Sequence, residues 1–127
     1  MERLPRPARA LRWIGSSRKE YGDFPPKVQD CFGFELFLAK TGQHPPSDKL
    51  LKGLGSGIVE LVEDFDGDTC RAVYTVRFET AVYVLHAFKK KSKNRIKTSQ
   101  SDIELVKKRL RDAEADQAAR TKQESGQ

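Results

Sequence analysis

The sequence is short of the residues that usually advertise chemistry. Its 127 residues include two histidines, two cysteines, one methionine and one tryptophan. The spacing of Cys31 and Cys70 fits no zinc or dithiol pattern, and both fall in apolar-patterned stretches, which reads as small core residues. No metal site and no cofactor are expected. No apolar run approaches the length of a membrane span. Residues Met1–Arg12 carry arginines and prolines but no apolar stretch able to act as a secretory signal. A soluble cytoplasmic protein with no membrane partner is the expectation. The glycine-rich run Gly53–Gly57 lacks the Gly-Lys-Ser/Thr that a phosphate-binding loop requires. No internal repeat occurs.

What is present is charge. Charged residues make up 33% of the chain, the hydrophobic set 37%, and the formal net charge is +6. Such a basic excess favours a polyanionic partner, or it serves solubility alone; composition leaves the two evenly balanced. The length suits one domain with one core, placed at residues 1–115, with a polar tail over 116–127 that has little to bury and is expected to fray.

Residues Met1–Ala8 read as an extended lead-in and Ala10–Gly15 as a first strand. Ser17 and Glu20 have capping-box spacing, which predicts a short helical turn. A second helix begins at the Pro25-Pro26 pair and ends before Gly42, with Val28, Phe32, Leu36 and Ala39 at helical spacing. Gln43–Gly57 reads as a loop. Ile58–Phe65, Thr69–Phe78 and Ala81–Phe88 form an antiparallel meander, its first turn marked by Asp66-Gly67. Ser101 and Glu104 have the spacing of a second capping box, opening a helix with Ile103, Val106, Leu110 and Ala113 on its apolar face. The class predicted is α+β: a four-stranded, mostly antiparallel twisted sheet, two N-terminal helices on one face, and a C-terminal helix.

Between the last strand and that helix, Lys89, Lys90, Lys91, Lys93, Arg95 and Lys97 stand within nine positions that contain no acid. Arg71 and Arg77 share a strand face by parity and are expected to point with these lysines into an open side of the sheet. Lys52 lies in the preceding loop. A run of this kind is most often a solvated basic loop; as a functional site it would bind an anion. Tyr74 on the apolar face reads as core, and Trp13 as core or an interface anchor.

Three stretches together resemble the RelE/ParE toxin superfamily, in its HigB-like, phage-derived Gp49-like branch. They are Leu51–Leu61, Arg71-Ala72-Val73-Tyr74, and Val84–Lys91; the closing helix Ile103–Leu110 fits as well. The resemblance covers roughly Leu11 to Asp112. It implies a RelE-like fold and the toxin of a type II toxin–antitoxin pair, an endoribonuclease that cuts messenger RNA on the ribosome through attack by a ribose 2′-hydroxyl. Arg71 would contact the scissile phosphate and Lys90 would neutralise the charge developing on it; Lys52, Arg77, Lys89, Lys91, Lys93 and Arg95 would bind RNA. A general base needs a pKa near neutrality. His86 is one candidate, and by parity it lies opposite Leu85, but it also reads as a hydrogen-bonded interior histidine. Glu60 is another, and it also reads as a partner that holds Arg71 or Arg77. His44 reads as an exposed loop residue. The chain departs from the pattern on the strand holding Glu60, Glu63 and Asp64, where some relatives carry lysines. The implied partners are a helix-turn-helix antitoxin, in a hetero-oligomer, together with messenger RNA and the ribosome. Two rival readings share the residues: a ParE-like toxin that binds a topoisomerase, and a non-catalytic nucleic-acid-binding module.

Overall fold

The computed structural model describes residues 8–43, 48–91 and 98–125. In chain order the elements are β1 (Ala10–Trp13), α1 (Ser17–Gly22), α2 (Pro26–Lys40), β2 (Asp48–Leu50), β3 (Ile58–Phe65), β4 (Asp68–Thr75), β5 (Ala81–Lys91) and α3 (Gln100–Ser125). The strands form one sheet in the order β1-β5-β4-β3-β2. β1 runs parallel to β5, and the other neighbours are antiparallel.

The meander forms as its alternation predicts. Asp66 and Gly67 both take positive φ, 52° and 83°. A two-residue turn of that hand matches the right-handed twist of the strands it joins. The sheet has five strands, not the four expected. β2 lies inside the stretch read as loop, and its three residues pair with β3 at Asp48↔Leu61, Lys49↔Glu60 and Leu50↔Val59. Three residues are too few to show a period of two, so nothing in the pattern marks them. β4 stops at Thr75, short of Phe78, with one further in-register bond from the Val76 N–H to the Gly57 carbonyl.

The layers also differ from expectation. α2 buries Val28, Phe32, Leu36 and Ala39 against Val59, Leu61, Cys70, Ala72 and Tyr74. The opposite face, expected to be partly open, is covered by α3, whose Val106, Leu110 and Ala113 meet Ile58, Val73, Tyr83 and Leu85. α1 does not lie flat on the α2 face. It runs beside the edge of β5 where β1 has ended: the Ile14 N–H and the Ser17 hydroxyl both reach the Val84 carbonyl, at 3.1 and 3.0 Å. Farther along that edge the Glu20 carboxylate accepts the Ala87 N–H at 3.1 Å. Side chains thus satisfy edge groups that a longer β1 would have paired.

α3 continues to Ser125, through the tail expected to fray. The Tyr83 hydroxyl donates to Asp116 at 2.6 Å, Gln117 donates to Thr80 at 2.9 Å, and Arg120 pairs with Asp116 one turn back. These polar contacts carry no apolar periodicity, so the sequence does not announce them.

Candidate active site

Parity along β5 is broken by a bulge. Val73 pairs with His86 but Tyr74 pairs with Val84, so Leu85 is the extra residue. A bulge re-aims everything beyond it. Leu85 and His86, expected on opposite sides, both meet α3. Phe88 and Lys90 follow His86 on that face, opposite Arg71 and Thr69 of β4. The helix begins only at Gln100, so this end of the face lies beyond its first turn.

Arg71 and Lys90 therefore share one face on neighbouring strands, but they are not equivalent. Lys90 keeps 30% of its side chain exposed; its Nζ lies 3.0 Å from Asp102 and 5.8 Å from the centroid of the Phe88 ring. The Arg71 side chain is only 9% exposed. Its Nη1 lies 3.4 Å from Glu60 Oε1 and 3.2 Å from the Thr98 hydroxyl, which donates to Glu60 Oε2 at 2.6 Å. Glu60 and Arg71 are diagonal neighbours across the β3–β4 ladder, which places both side chains on one face. Of the two roles considered for Glu60, holding Arg71 is the one the geometry displays; Arg77 has other partners. Every acid on β3 is engaged: Glu63 accepts from the Cys31 thiol at 3.4 Å and Asp64 from the Thr69 hydroxyl at 3.0 Å.

His86 is an interior histidine, 5% exposed, stacked on Phe88 with ring centroids 4.5 Å apart. Its Nδ1 lies 3.1 Å from Glu20 Oε1 and its Nε2 2.8 Å from Asp102 Oδ1. Arg109 closes the far side of Glu20 with contacts of 2.9 and 3.1 Å. Burial alone would push the Glu20 carboxyl up. Hydrogen bonds from Arg109, His86 and the Ala87 N–H outweigh it and bring the pKa down to about 2. Asp102 is likewise lowered: against burial stand bonds from Ser99, His86 and Lys90. The result is a connected polar network, Arg109–Glu20–His86–Asp102–Lys90, that joins α1, β5 and α3.

Asp102 and Arg109 carry no signal in the sequence, and Glu20 carries only its capping-box spacing with Ser17. Neither capping box forms as its spacing predicts. Ser17 bonds Val84 and Glu20 turns to His86, so no side-chain cap closes α1. At α3 the reciprocal pair is Ser99 and Asp102, two positions before the one expected. Gly15 has φ +58°, and a Cβ there would come within 3.0 Å of the Arg109 side chain, so glycine makes room for the network.

The other predicted cations divide. Lys89 and Lys91 are exposed at the same end of β5, Lys89 lying 3.6 Å from Asp68. Arg77 is not with them. It binds the Leu54 and Ser56 carbonyls and pairs with Glu114 at 2.6 Å, fastening the loop before β3 to α3. Lys52 lies in that loop too, at the opposite end of the sheet from Lys90. His44, Lys93 and Arg95 lie outside the described residues. Cys70 is buried in the core as expected, whereas Cys31 is half-buried; burial and the bond to Glu63 push its thiol up to about 11, which makes it a poor nucleophile. Among the described residues no group of three His, Cys, Asp or Glu side chains is placed to hold a metal ion. Among the described residues no helix is long and apolar enough to cross a membrane.

Residues 19–111 match the model of a family described as phage derived protein Gp49-like (DUF891). That stretch is well over half of the chain and holds every member of the charge network. The chain belongs to the phage-derived Gp49-like family. Its resemblance to RelE/HigB-like toxins, carried by Leu51–Leu61, Arg71–Tyr74 and Val84–Lys91, thus agrees with an independent match. Among solved structures, the toxin–antitoxin complex RelBE2 from Mycobacterium tuberculosis is similar over 67% of this chain and 94% of its own, with 18% identity and a TM-score of 0.45. No curated protein matches at a significant level. In this Gp49-like chain, then, the cationic end of β5 and the Arg71–Glu60 pair are the residues to weigh for function.

Proposed function

We propose that this Gp49-like protein is the toxin of a toxin–antitoxin pair and that it cuts messenger RNA. The observation that carries the reading is the shared placement of Lys90 and Arg71 on neighbouring strands, just beyond the first turn of α3. Fixed cations on a partly desolvated surface stabilise the extra negative charge of a pentacovalent phosphorane. In the step proposed, the 2′-oxygen forms a bond to the adjacent phosphorus as its proton passes to Glu60, which takes this second role while still holding Arg71. The bond to the 5′-oxygen breaks, and that oxygen leaves with a proton from the Lys90 ammonium. A 2′,3′-cyclic phosphate and a 5′-hydroxyl remain, and no water is consumed. His86 is a poor candidate for base, since each ring nitrogen already faces a carboxylate. The exposed Lys89 and Lys91 extend the cationic surface along the RNA backbone. The same surface suits a carboxylate-bearing antitoxin segment that would block it.

The test is induction of the chain and of Lys90→Ala. The wild type should halt amino-acid incorporation before DNA synthesis and leave messenger fragments ending in cyclic phosphates. Lys90→Ala should lose a hundredfold or so in cleavage rate, the usual scale for one charge-stabilising contact. Replication arrest that precedes any loss of translation would instead identify a topoisomerase-directed toxin. RNA binding without cleavage would identify a binding module.

A further inference from the structure

We propose that Asp102 is a positioning residue for Lys90, and that His86 and Glu20 brace Asp102 from behind; the inference rests on the ribonuclease reading above. A lysine at the end of a strand has four rotatable bonds, and ordering them costs conformational entropy. Lys90 is nevertheless held. Asp102 Oδ2 lies 3.0 Å from its Nζ, and the Phe88 ring lies beneath the ammonium at 5.8 Å. Phe88 in turn stacks on His86 with an angle of 22° between the rings.

Asp102 has little freedom of its own. Oδ2 also accepts the Ser99 hydroxyl at 2.6 Å, and Oδ1 faces His86 Nε2 at 2.8 Å. His86 is held from its other nitrogen by Glu20, and Glu20 by Arg109 and the Ala87 N–H. The charged groups that face His86 are thus Glu20 from α1 and, from α3, Asp102, with Arg109 behind Glu20. Each link is a charge-assisted bond to a partner that is itself fixed, so the orientation imposed on Asp102 passes to Lys90. The exposed end is what suggests a role beyond stability. His86 and Arg109 are buried, whereas Lys90 stands at the surface. An ammonium has three N–H donors, and one directed at Asp102 leaves two for a phosphate.

A double-mutant cycle on the purified full chain, cleaving a short RNA, separates positioning from stability. Asp102→Asn should lower kcat about tenfold with KM nearly unchanged, the scale typical of partners that orient a working group. In the Lys90→Met background the same change should cost nothing more, because Asp102 acts through the ammonium. A loss that simply adds to that of Lys90→Met overturns the proposal, as does an Asp102→Asn enzyme with unaltered kcat. Nitrogen-15 spectra of the lysine ammonium groups give a readout independent of cleavage. The wild type should show a protected Lys90 signal that Asp102→Asn abolishes; an unchanged signal overturns the positioning claim. Should Asp102→Asn fail to fold by circular dichroism, His86→Gln carries the same cycle from the other side of Asp102. If the wild type leaves RNA intact, the ribonuclease reading fails, and the ammonium signal still judges whether Asp102 orders Lys90.

Discussion

Arg71 and Lys90 carry the same charge on the same sheet face, yet removing them tests different things. Lys90→Ala deletes a part-exposed ammonium and leaves Asp102 its bonds from Ser99 and His86, so the melting temperature should stay within about 2 °C of wild type. Arg71→Ala strands Glu60 without its buried partner, which commonly costs about 3–5 kcal/mol. Loss of toxicity in that variant would therefore report unfolding as readily as chemistry. Urea denaturation should show the deficit, and Arg71→Met combined with Glu60→Leu should recover most of it. Glu20 supplies a pH test. Its folded pKa of about 2 lies below the ordinary 4.5. A depressed carboxyl stabilises the fold above the ordinary value, and the contribution fades as pH falls from there toward 2. Allowing for the 23% of the side chain that solvent reaches, the loss is on the order of 2 kcal/mol. Glu20→Gln should be less stable at neutral pH and should flatten the curve across that window; an unchanged acid limb would show that Glu20 is not the group responsible. At this scale the sequence showed the cations well and their partners poorly. A run of lysines is visible in one dimension, whereas Glu20, His86, Asp102 and Arg109 come from three separate elements and share no spacing.

Elements with a strong period were legible and those without one were not. β3 and α2 appear where the apolar pattern puts them and the Asp66-Gly67 turn fixes the hairpin, but β5 runs past the expected Phe88 to Lys91, taking Lys89–Lys91 out of the loop. β2 is too short to have a period. The bulge at Leu85 changes the face of His86 without any local mark, because Val84, Leu85 and Ala87 are apolar and fit either face. The capping boxes misled because Ser-x-x-acid spacing recurs by chance in a chain rich in charge. The tail of α3 shows what tertiary contact adds. Over residues 116–125 the helix offers almost no apolar stripe, and Tyr83 anchors its inner turn through Asp116 and Gln117. That hydroxyl is buried and its pKa is pushed up to about 12 by burial and the Asp116 bond. Tyr83→Phe should cost about 1 kcal/mol, the usual net value of one such bond. Hydrogen exchange should quicken chiefly in residues 114–125; equal quickening throughout the sheet would place the anchor elsewhere.

For the molecule as a whole, the departure that matters is the covering of both sheet faces. The sequence led to a broad cationic surface shared by Arg71, Arg77 and the lysines after Phe88, and the family resemblance added Lys52 as an RNA-binding residue. α3 instead occupies much of that face and leaves the proposed working surface at one end, around Lys90. The two ends are separated by the length of the β3–β4 ladder, about 20 Å or more at ~3.3 Å per residue. Net charge of +6 thus overstates the proposed RNA footprint, because Arg77 is consumed in tying a loop to α3. Salt dependence distinguishes a charge that touches RNA from one that merely raises the field. Each phosphate contact on a single strand contributes about 0.7 to the slope of log affinity against log salt. With an RNA made uncleavable by 2′-deoxy substitution, Lys89→Gln and Lys91→Gln should each reduce the slope by about that amount. Lys52→Gln should leave it unchanged, and Arg77→Gln should lower the melting temperature without altering it. If Lys52 and Arg77 reduce the slope as much as Lys89 and Lys91 do, RNA runs the length of the molecule, and the end of β5 is not the site.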